Sequence, residues 1–263
     1  MNLQLSGRTA FVSGSTQGIG YAIAQALLHE GADVVVNGRD ADRVAESVAA
    51  LRTTSPGGSV SGLAADLAEP EQVAGLLASL GEVDILVNNV GLFGLTPFVE
   101  VTDEDWQRYL DVNLLSGVRL SRRLLPGMLA KGWGRVLFVS SESGVDVPAD
   151  MVHYGVTKAG VLALGNGLAK LTRGTAVTVN TILGGPTYSA GVADAVAELS
   201  AAQGVPADTL KGAIAAGNRT SLLQRFIEPE EIAALAAYLA SPRASATNGA
   251  AVRADGGVLT GML

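Results

Sequence analysis

The sequence contains no cysteine. That excludes a disulfide framework, a thiolate metal site and a cysteine nucleophile, and it fits a reducing compartment. Histidine is almost as scarce: His29 and His153 are the only two, too few for a histidine-based zinc site, so no metal is expected. Charged residues make up 16% of the chain, against about 25% in ordinary globular domains. The 18 Lys and Arg form no basic block and are outnumbered by 25 Asp and Glu, leaving a net charge of −7. Nucleic-acid affinity rests on cations that neutralise phosphates, so no nucleic-acid partner is expected. No run of about 18 apolar residues is free of charge, so no membrane span is expected. The segment Met1–Thr9 is polar, with its one basic residue, Arg8, just ahead of a short apolar run, unlike a secretory signal. These absences leave a soluble cytoplasmic enzyme or binding protein as the expectation.

Apolar residues and glycine are plentiful. Apolar side chains account for 48% of 263 residues, enough for a core that needs no staple. The 33 glycines are about one residue in eight, against a usual share near 7%, and show no three-residue period. Tight turns and close backbone approaches are expected instead of collagen.

Short apolar runs alternate with helical patterns along the whole chain. Strands are predicted at Arg8–Ser13, Asp33–Asn37, Ser59–Ala64, Val83–Asn88, Arg135–Ser140 and Ala176–Ile182, with Ala250–Arg253 closing the sheet. Helices are predicted at Gly18–His29, Ala41–Leu51, Pro70–Leu80, Val152–Thr172 and Glu228–Ala240, with one long helical stretch at Asp103–Lys131. Apolar strands alternating with helices imply an α/β fold: a doubly wound, Rossmann-like parallel sheet of about seven strands, covered on both faces, in a single domain spanning 1–263. The segment Gly184–Ser221 breaks the alternation with Gly and Pro, and two weak helices, Val192–Ala202 and Ala207–Ala216, fit within it. Its place beyond the end of a strand makes 184–221 a candidate substrate lid.

Three motifs carry chemistry. Ser13-Gly14-Ser15-Thr16-Gln17-Gly18-Ile19-Gly20 joins the first strand to the first helix. Glycines there let backbone approach a pyrophosphate, and the helix N-terminus offers free N–H groups. Asn88-Asn89-Val90-Gly91 ends the fourth strand, where Gly91 would let the chain bend over a ligand. Tyr154 and Lys158 lie four apart, on one helix face. A free phenol, with a pKa near 10, is a poor base at neutral pH, and a neighbouring cation lowers such a value by about 1–3.

Together with Ser140-Ser141, thirteen residues ahead of Tyr154 counted from Ser141, and with Asn113 in the long helix, these motifs resemble the short-chain dehydrogenase/reductase family over essentially the whole chain. Asp66-Leu67, Gly185-Pro186-Thr187 and Asp255-Gly256-Gly257 extend the resemblance. It implies an NAD(P)-dependent oxidoreductase acting on a small-molecule ketone or secondary alcohol. Tyr154 would be the acid/base. Lys158 would lower its pKa and hold the nicotinamide ribose. Ser141 would bond the substrate carbonyl, with Ser140 structural, and Asn113 would anchor a water linking Lys158 to solvent. Gly14, Ser15, Gln17, Gly18, Ile19 and Gly20 would line phosphates and ribose, Asp66 and Leu67 the adenine, Asn89 and Gly91 the body of the cofactor and Thr187 its carboxamide. A homotetramer is implied, paired through the long helix and Val152–Thr172, whose Val161, Leu164, Leu168 and Leu171 make an apolar stripe beside the small residues Ala159, Gly160, Ala163, Gly165 and Gly167.

Two positions depart from the family pattern. Val90 replaces the usual Ala and would crowd the cofactor, and Gly184-Gly185 replaces Pro-Gly, which would loosen the root of the lid. The residue that would be an acid in an NAD-selective site is Gly38, followed by Arg39, whose guanidinium suits a 2′-phosphate. NADP(H) is therefore expected over NAD(H), although Gln17 stands where many NADP-using relatives carry a basic residue, and Asp40 competes for Arg39. A 3-oxoacyl-thioester reductase is one specific activity within this reading. A catalytically silent dinucleotide-binding regulator is the alternative of another class, opposed by the intact Asn113, Ser141, Tyr154 and Lys158. Phe93, Glu142, Val147, His153, Tyr188 and parts of 189–217 are candidates to face the substrate. Glu142 is expected to be a solvated loop acid, and His153 a surface or interface residue.

Overall fold

The computed structural model describes residues 2–55 and 57–262. Seven parallel strands form one sheet in the order β3-β2-β1-β4-β5-β6-β7: β1 (Thr9–Val12), β2 (Asp33–Gly38), β3 (Val60–Ala64), β4 (Ile85–Asn88), β5 (Trp133–Ser141), β6 (Ala176–Gly184) and β7 (Ala251–Ala254). The inner strands are predominantly apolar and buried, β4 at every position, as a sheet covered on both faces requires. Helices α1 (Gly18–His29), α2 (Ala41–Thr54) and α9 (Pro229–Ala240) close one face, over a core that includes Ile23, Leu27, Val48 and Ile232. Helices α3 (Pro70–Leu80), α5 (Ser116–Lys131) and α6 (Val152–Leu171) close the other, over Phe11, Leu76, Leu124 and Phe138. Strand order reverses between β1 and β4, and the C-terminal ends of those strands open onto the crevice where such sheets bind ligands.

The long helix predicted over Asp103–Lys131 is not continuous. It runs as α4 (Asp103–Leu110), a π-turn at Asp111–Leu115, then α5. A reciprocal capping box between Thr102 and Asp105 starts α4. The widened turn carries Asn113, whose side chain is tied to Leu92 and Thr157 rather than lying along a regular helix face. Between β6 and α9 stand α7 (Ala190–Gln203) and α8 (Ala207–Gly217), the two helices anticipated in the insertion. Its root is less free than expected: Gly184 is the last residue of β6, paired with both Ser141 and Ala254. A Cβ on Gly185 would lie 2.5 Å from the Asp255 carbonyl oxygen, so this glycine is required by the approach of two chains.

Candidate active site

A cleft of about 580 Å³ runs along the C-terminal edge of β1, β2, β4 and β5. One wall is the glycine turn before α1. A Cβ on Gly14, which has φ +60°, would meet Val90 Cα at 2.9 Å, and one on Gly20 would lie 2.4 Å from both Gly14 O and Asn89 Nδ2. The turn is braced from behind. Asn89 Nδ2 donates to the Ser13 and Gly14 carbonyls at 3.0 and 2.9 Å, and Asn37 Oδ1 accepts from Gly14 N at 3.3 Å. No side chain caps α1 and no acid stands in its first turn, so its N-terminal N–H groups face the cleft unclaimed. Backbone stripped of Cβ atoms at a bare helix N-terminus fits a dinucleotide pyrophosphate.

Gly14, Gln17, Gly18, Ile19, Gly20, Arg39, Asp66, Leu67, Asn89, Gly91, Tyr154 and Lys158 all line this cleft. Ser15, Asn113, Ser141 and Thr187 do not. The Ser15 side chain is fully buried, donating to Val12 O at 2.6 Å and accepting from Asn37 N, while its own amide bonds Asn37 O. It stitches β1 to β2, and Thr16 faces the cleft in its place. The buried Thr187 hydroxyl donates to Gly185 O at 2.8 Å. Val90 lines the cleft beside Gly14. Ser189, Ala190 and Gly191 at the start of α7 complete the wall, Ser189 packing over Gly18.

At the end of β2 the floor is Gly38, where a Cβ would meet Thr16 Cγ2 at 2.6 Å. Arg39 is exposed, with its guanidinium 4.0 Å from Asp66. Asp40 does not draw it away, because that carboxylate caps α2, accepting from Arg43 N at 2.9 Å. Sequence reasoning missed Arg43. One turn into α2, it lines the same cleft and its guanidinium donates to Gln17 Oε1. The signal was available in the i, i+3 spacing from Asp40, which turns Arg43 back towards the glycine turn.

At the other end, α6 presents Tyr154 and Lys158 beneath the ends of β4 and β5. Lys158 is buried, its Nζ donates to Val139 O at 3.0 Å and lies 5.6 Å from the Tyr154 ring centre. Burial pushes its pKa down to about 8. A Cβ on Gly91 would sit 3.3 Å from Lys158 Nζ and 3.5 Å from Asn113 Oδ1, so the bare glycine brings these groups to one spot. Asn113 itself binds both backbone groups of Leu92 and the Thr157 hydroxyl. The lowering of Tyr154 by Lys158 is absent from the protein alone. Burial pushes the phenol up to about 12, with Ser141 opposing and Glu142 adding to the rise. The ammonium lies against the ring and the Val139 carbonyl, and it is itself desolvated.

Two expectations at this end are overturned. Glu142 is not a solvated loop acid: it folds inward, Ser141 Oγ donates to its carboxylate, and burial raises its pKa despite that bond. His153 is 1% exposed, neither on the surface nor free for an interface. Its ring meets Tyr109 edge-on with centres 4.3 Å apart and Trp106 at 6.3 Å, because the roughly 100° step from Tyr154 aims it at α4. Of the other substrate-facing candidates, Phe93 lines the cleft and is half exposed, Val147 is exposed, and Tyr188 packs on Phe226 beneath Lys211.

A doubly wound sheet that reverses beside a glycine-lined crevice belongs to the dinucleotide-binding class of folds, and a buried phenol–ammonium pair at its floor is equipped for proton transfer. Comparison with known proteins narrows that class. The family described as Enoyl-(Acyl carrier protein) reductase matches residues 14–259. The oxidoreductase YvrD of Bacillus subtilis (strain 168) is 43% identical, across 98% of this chain and 99% of that protein. D-beta-hydroxybutyrate dehydrogenase of Cupriavidus necator is 33% identical, across 96% and 98%. L-sorbose reductase from Gluconobacter frateurii, solved with NADPH and L-sorbose, superposes with a TM-score of 0.94 at 33% identity over the full length of both chains. The chain belongs to the short-chain dehydrogenase/reductase family, a family of NAD(P)-dependent oxidoreductases.

Proposed function

We propose that this protein interconverts a small ketone and its secondary alcohol using NADP(H), with Tyr154 as general acid and base. The observation that carries the reading is the convergence of Tyr154 and Lys158 on the cleft floor beside the Ser141 end of β5. The bound nicotinamide supplies or accepts the hydride. The protein's part is to align, to hold protons and to stabilise charge. A phenol that keeps its proton at neutral pH suits donation to a carbonyl oxygen as that oxygen becomes an alkoxide, and Ser141 would donate a second hydrogen bond to the same atom once its proton is free of the Glu142 carboxylate. Lys158 would hold the ribose beside Gly91, and Asn113 would fix the Leu92 backbone and the α6 turn around them. A water held by Asn113 as a path from Lys158 to solvent belongs to the same proposal.

The preference for NADP(H) is supported at the β2 end. Gly38 leaves no carboxylate to repel a 2′-phosphate, and Arg39 borders the cleft there. The NADPH-bound L-sorbose reductase is consistent with that preference. The insertion 184–221 acts as the lid in this reading, since the start of α7 already lies over Gly18. A panel of polyol-derived ketones, simple ketones and 3-oxoacyl thioesters, followed by nicotinamide absorbance with NADPH and NADH separately, tests the assignment. Reduction of at least one class, faster with NADPH, is expected. Tight cofactor binding with no turnover of any class would favour a silent regulator.

A further inference from the structure

Glu142 opens a short 3-10 turn, Glu142–Gly144, immediately after the last residue of β5. Among the described residues no cation lies within salt-bridge distance of its carboxyl. Its partners are the Ser141 hydroxyl and the backbone of its own turn. From α6 it is faced by Tyr154 and Lys158, whose pKa values its charge raises. Tyr109 of α4 acts on Tyr154 from behind, and His153 turns away towards Trp106 and Tyr109. Ser143 faces it from the turn itself.

The hydroxyl of Ser141 has one proton and two lone pairs. One lone pair accepts from Ser143 N at 3.1 Å. In the arrangement observed, the proton goes to the Glu142 carboxylate. Nothing then remains on Ser141 to donate to a substrate carbonyl. If the carboxyl is protonated, the acid O–H fills the second lone pair and the Ser141 proton is released towards the cleft. We propose that Glu142 is a positioning residue that sets the direction of the Ser141 hydroxyl: neutral Glu142 turns the proton to the substrate oxygen, and ionised Glu142 withdraws it. The proposal rests on the reading above, in which Ser141 bonds the carbonyl being reduced.

Burial raises the Glu142 pKa above the usual carboxylate range, so the changeover falls above the pH at which an exposed glutamate titrates. As pH rises through that value, ketone reduction should fall about tenfold per unit, towards a floor on the order of 10²-fold lower, the scale of losing one donor to a developing oxyanion. The experiment is the pH profile of kcat and KM for reduction of the best ketone from the panel, in wild type, Glu142→Gln, Ser141→Ala and Tyr154→Phe, each checked for folding by thermal melting. The glutamine amide has no titrating proton and its NH2 can donate to Ser141 Oγ at every pH, so Glu142→Gln should lose the falling limb and exceed wild type at pH values above it. Ser141→Ala should sit at the low floor with no limb while Glu142 is intact. The carboxyl infrared band that disappears in Glu142→Gln should titrate at the pH of the limb. A limb retained in Glu142→Gln, its absence from wild type, or a carboxyl band titrating elsewhere overturns the proposal. Tyr154→Phe separates the two levels: if it keeps turnover, the acid/base reading fails. If it is inactive while Glu142→Gln keeps the limb, only the role of Glu142 fails.

Discussion

Tyr154→Phe removes one oxygen from a largely buried ring and leaves the cleft wall intact. Turnover should be abolished while calorimetry still records NADPH binding near the wild-type affinity. Lys158 gives a prediction of a different sign. Its ammonium is buried with a folded pKa of about 8 against 10.5 for the free group. That depression costs the folded state about 3 kcal/mol at neutral pH, fades as pH climbs from the folded value to the unfolded one, and is at or above the roughly 1.5–3 kcal/mol of the charged hydrogen bond to Val139 that is lost. Lys158→Met should therefore melt higher than wild type at pH 7, with the gap closing at strongly basic pH, and should lose activity and cofactor affinity. An equal or lower melting temperature at neutral pH would contradict the burial argument. At the cofactor's far end, Arg39→Ala should weaken NADPH use by about 1.5–3 kcal/mol and leave NADH nearly unchanged, measured as kcat/KM for each. Equal losses would remove Arg39 from the phosphate. Residue types and spacing singled out Tyr154, Lys158 and the glycines, which line the cleft, and the family resemblance added Asn113. The inward turn of Glu142, the buried Ser15 and the packed His153 were not, because sequence shows which groups are polar and not whether a neighbour has already claimed them.

Among the elements, the turn from β1 into α1 was read almost residue by residue, since glycine is the only residue that fits where backbone meets backbone. Gly20→Ala tests that reading: its Cβ would lie 2.4 Å from Gly14 O, which is backbone, and 2.4 Å from Asn89 Nδ2, a side-chain end pinned by hydrogen bonds to the Ser13 and Gly14 carbonyls. The turn has to open, so NADPH affinity by calorimetry should drop at least tenfold while the rest of the sheet still folds. Binding unchanged would mean that the turn is not where the dinucleotide lies. The π-turn at Asp111–Leu115 escaped the sequence reading because the apolar rhythm passes through it unbroken. What forces the wider turn is Asn113, drawn out of register by Leu92 and Thr157, two partners 21 and 44 residues away. The strands of the sheet were legible and only their ends shifted. β5 gains Trp133, Gly134 and Ser141 because β6 offers partners across its whole length, from Ala176 to Gly184.

For the whole molecule, alternating strands and helices fixed the parallel, two-faced sheet, because a right-handed crossover leaves few other arrangements. Assembly is less directly encoded. Three residues of the α6 stripe expected at a dimer contact pack within the monomer: Val161 is buried, Leu164 and Leu168 pack on the chain's own core, and Gly160 and Gly165 accommodate Leu114, Thr181 and Phe138, whereas the fourth, Leu171, is exposed. A period-3.6 stripe marks the buried face of any surface helix, so it could not distinguish one neighbour from another. The adjacent face of α6 leaves Val156 and Leu171 exposed, with Ala163 and Gly167 between them and nothing within 4 Å of a Cβ on Gly167. We propose that this face, which keeps Leu171, Ala163 and Gly167 of the expected contact, meets α6 of a second subunit across a two-fold axis within a homotetramer. Light scattering should then give four times the 26.7 kDa chain mass at micromolar concentration. Gly167→Glu places a like charge on both sides of such a contact without disturbing the monomer's packing, so it should shift the mass downward and leave the melting of the isolated chain intact. A wild-type mass equal to one chain, or a tetramer indifferent to Gly167→Glu, would move the interface elsewhere or remove it.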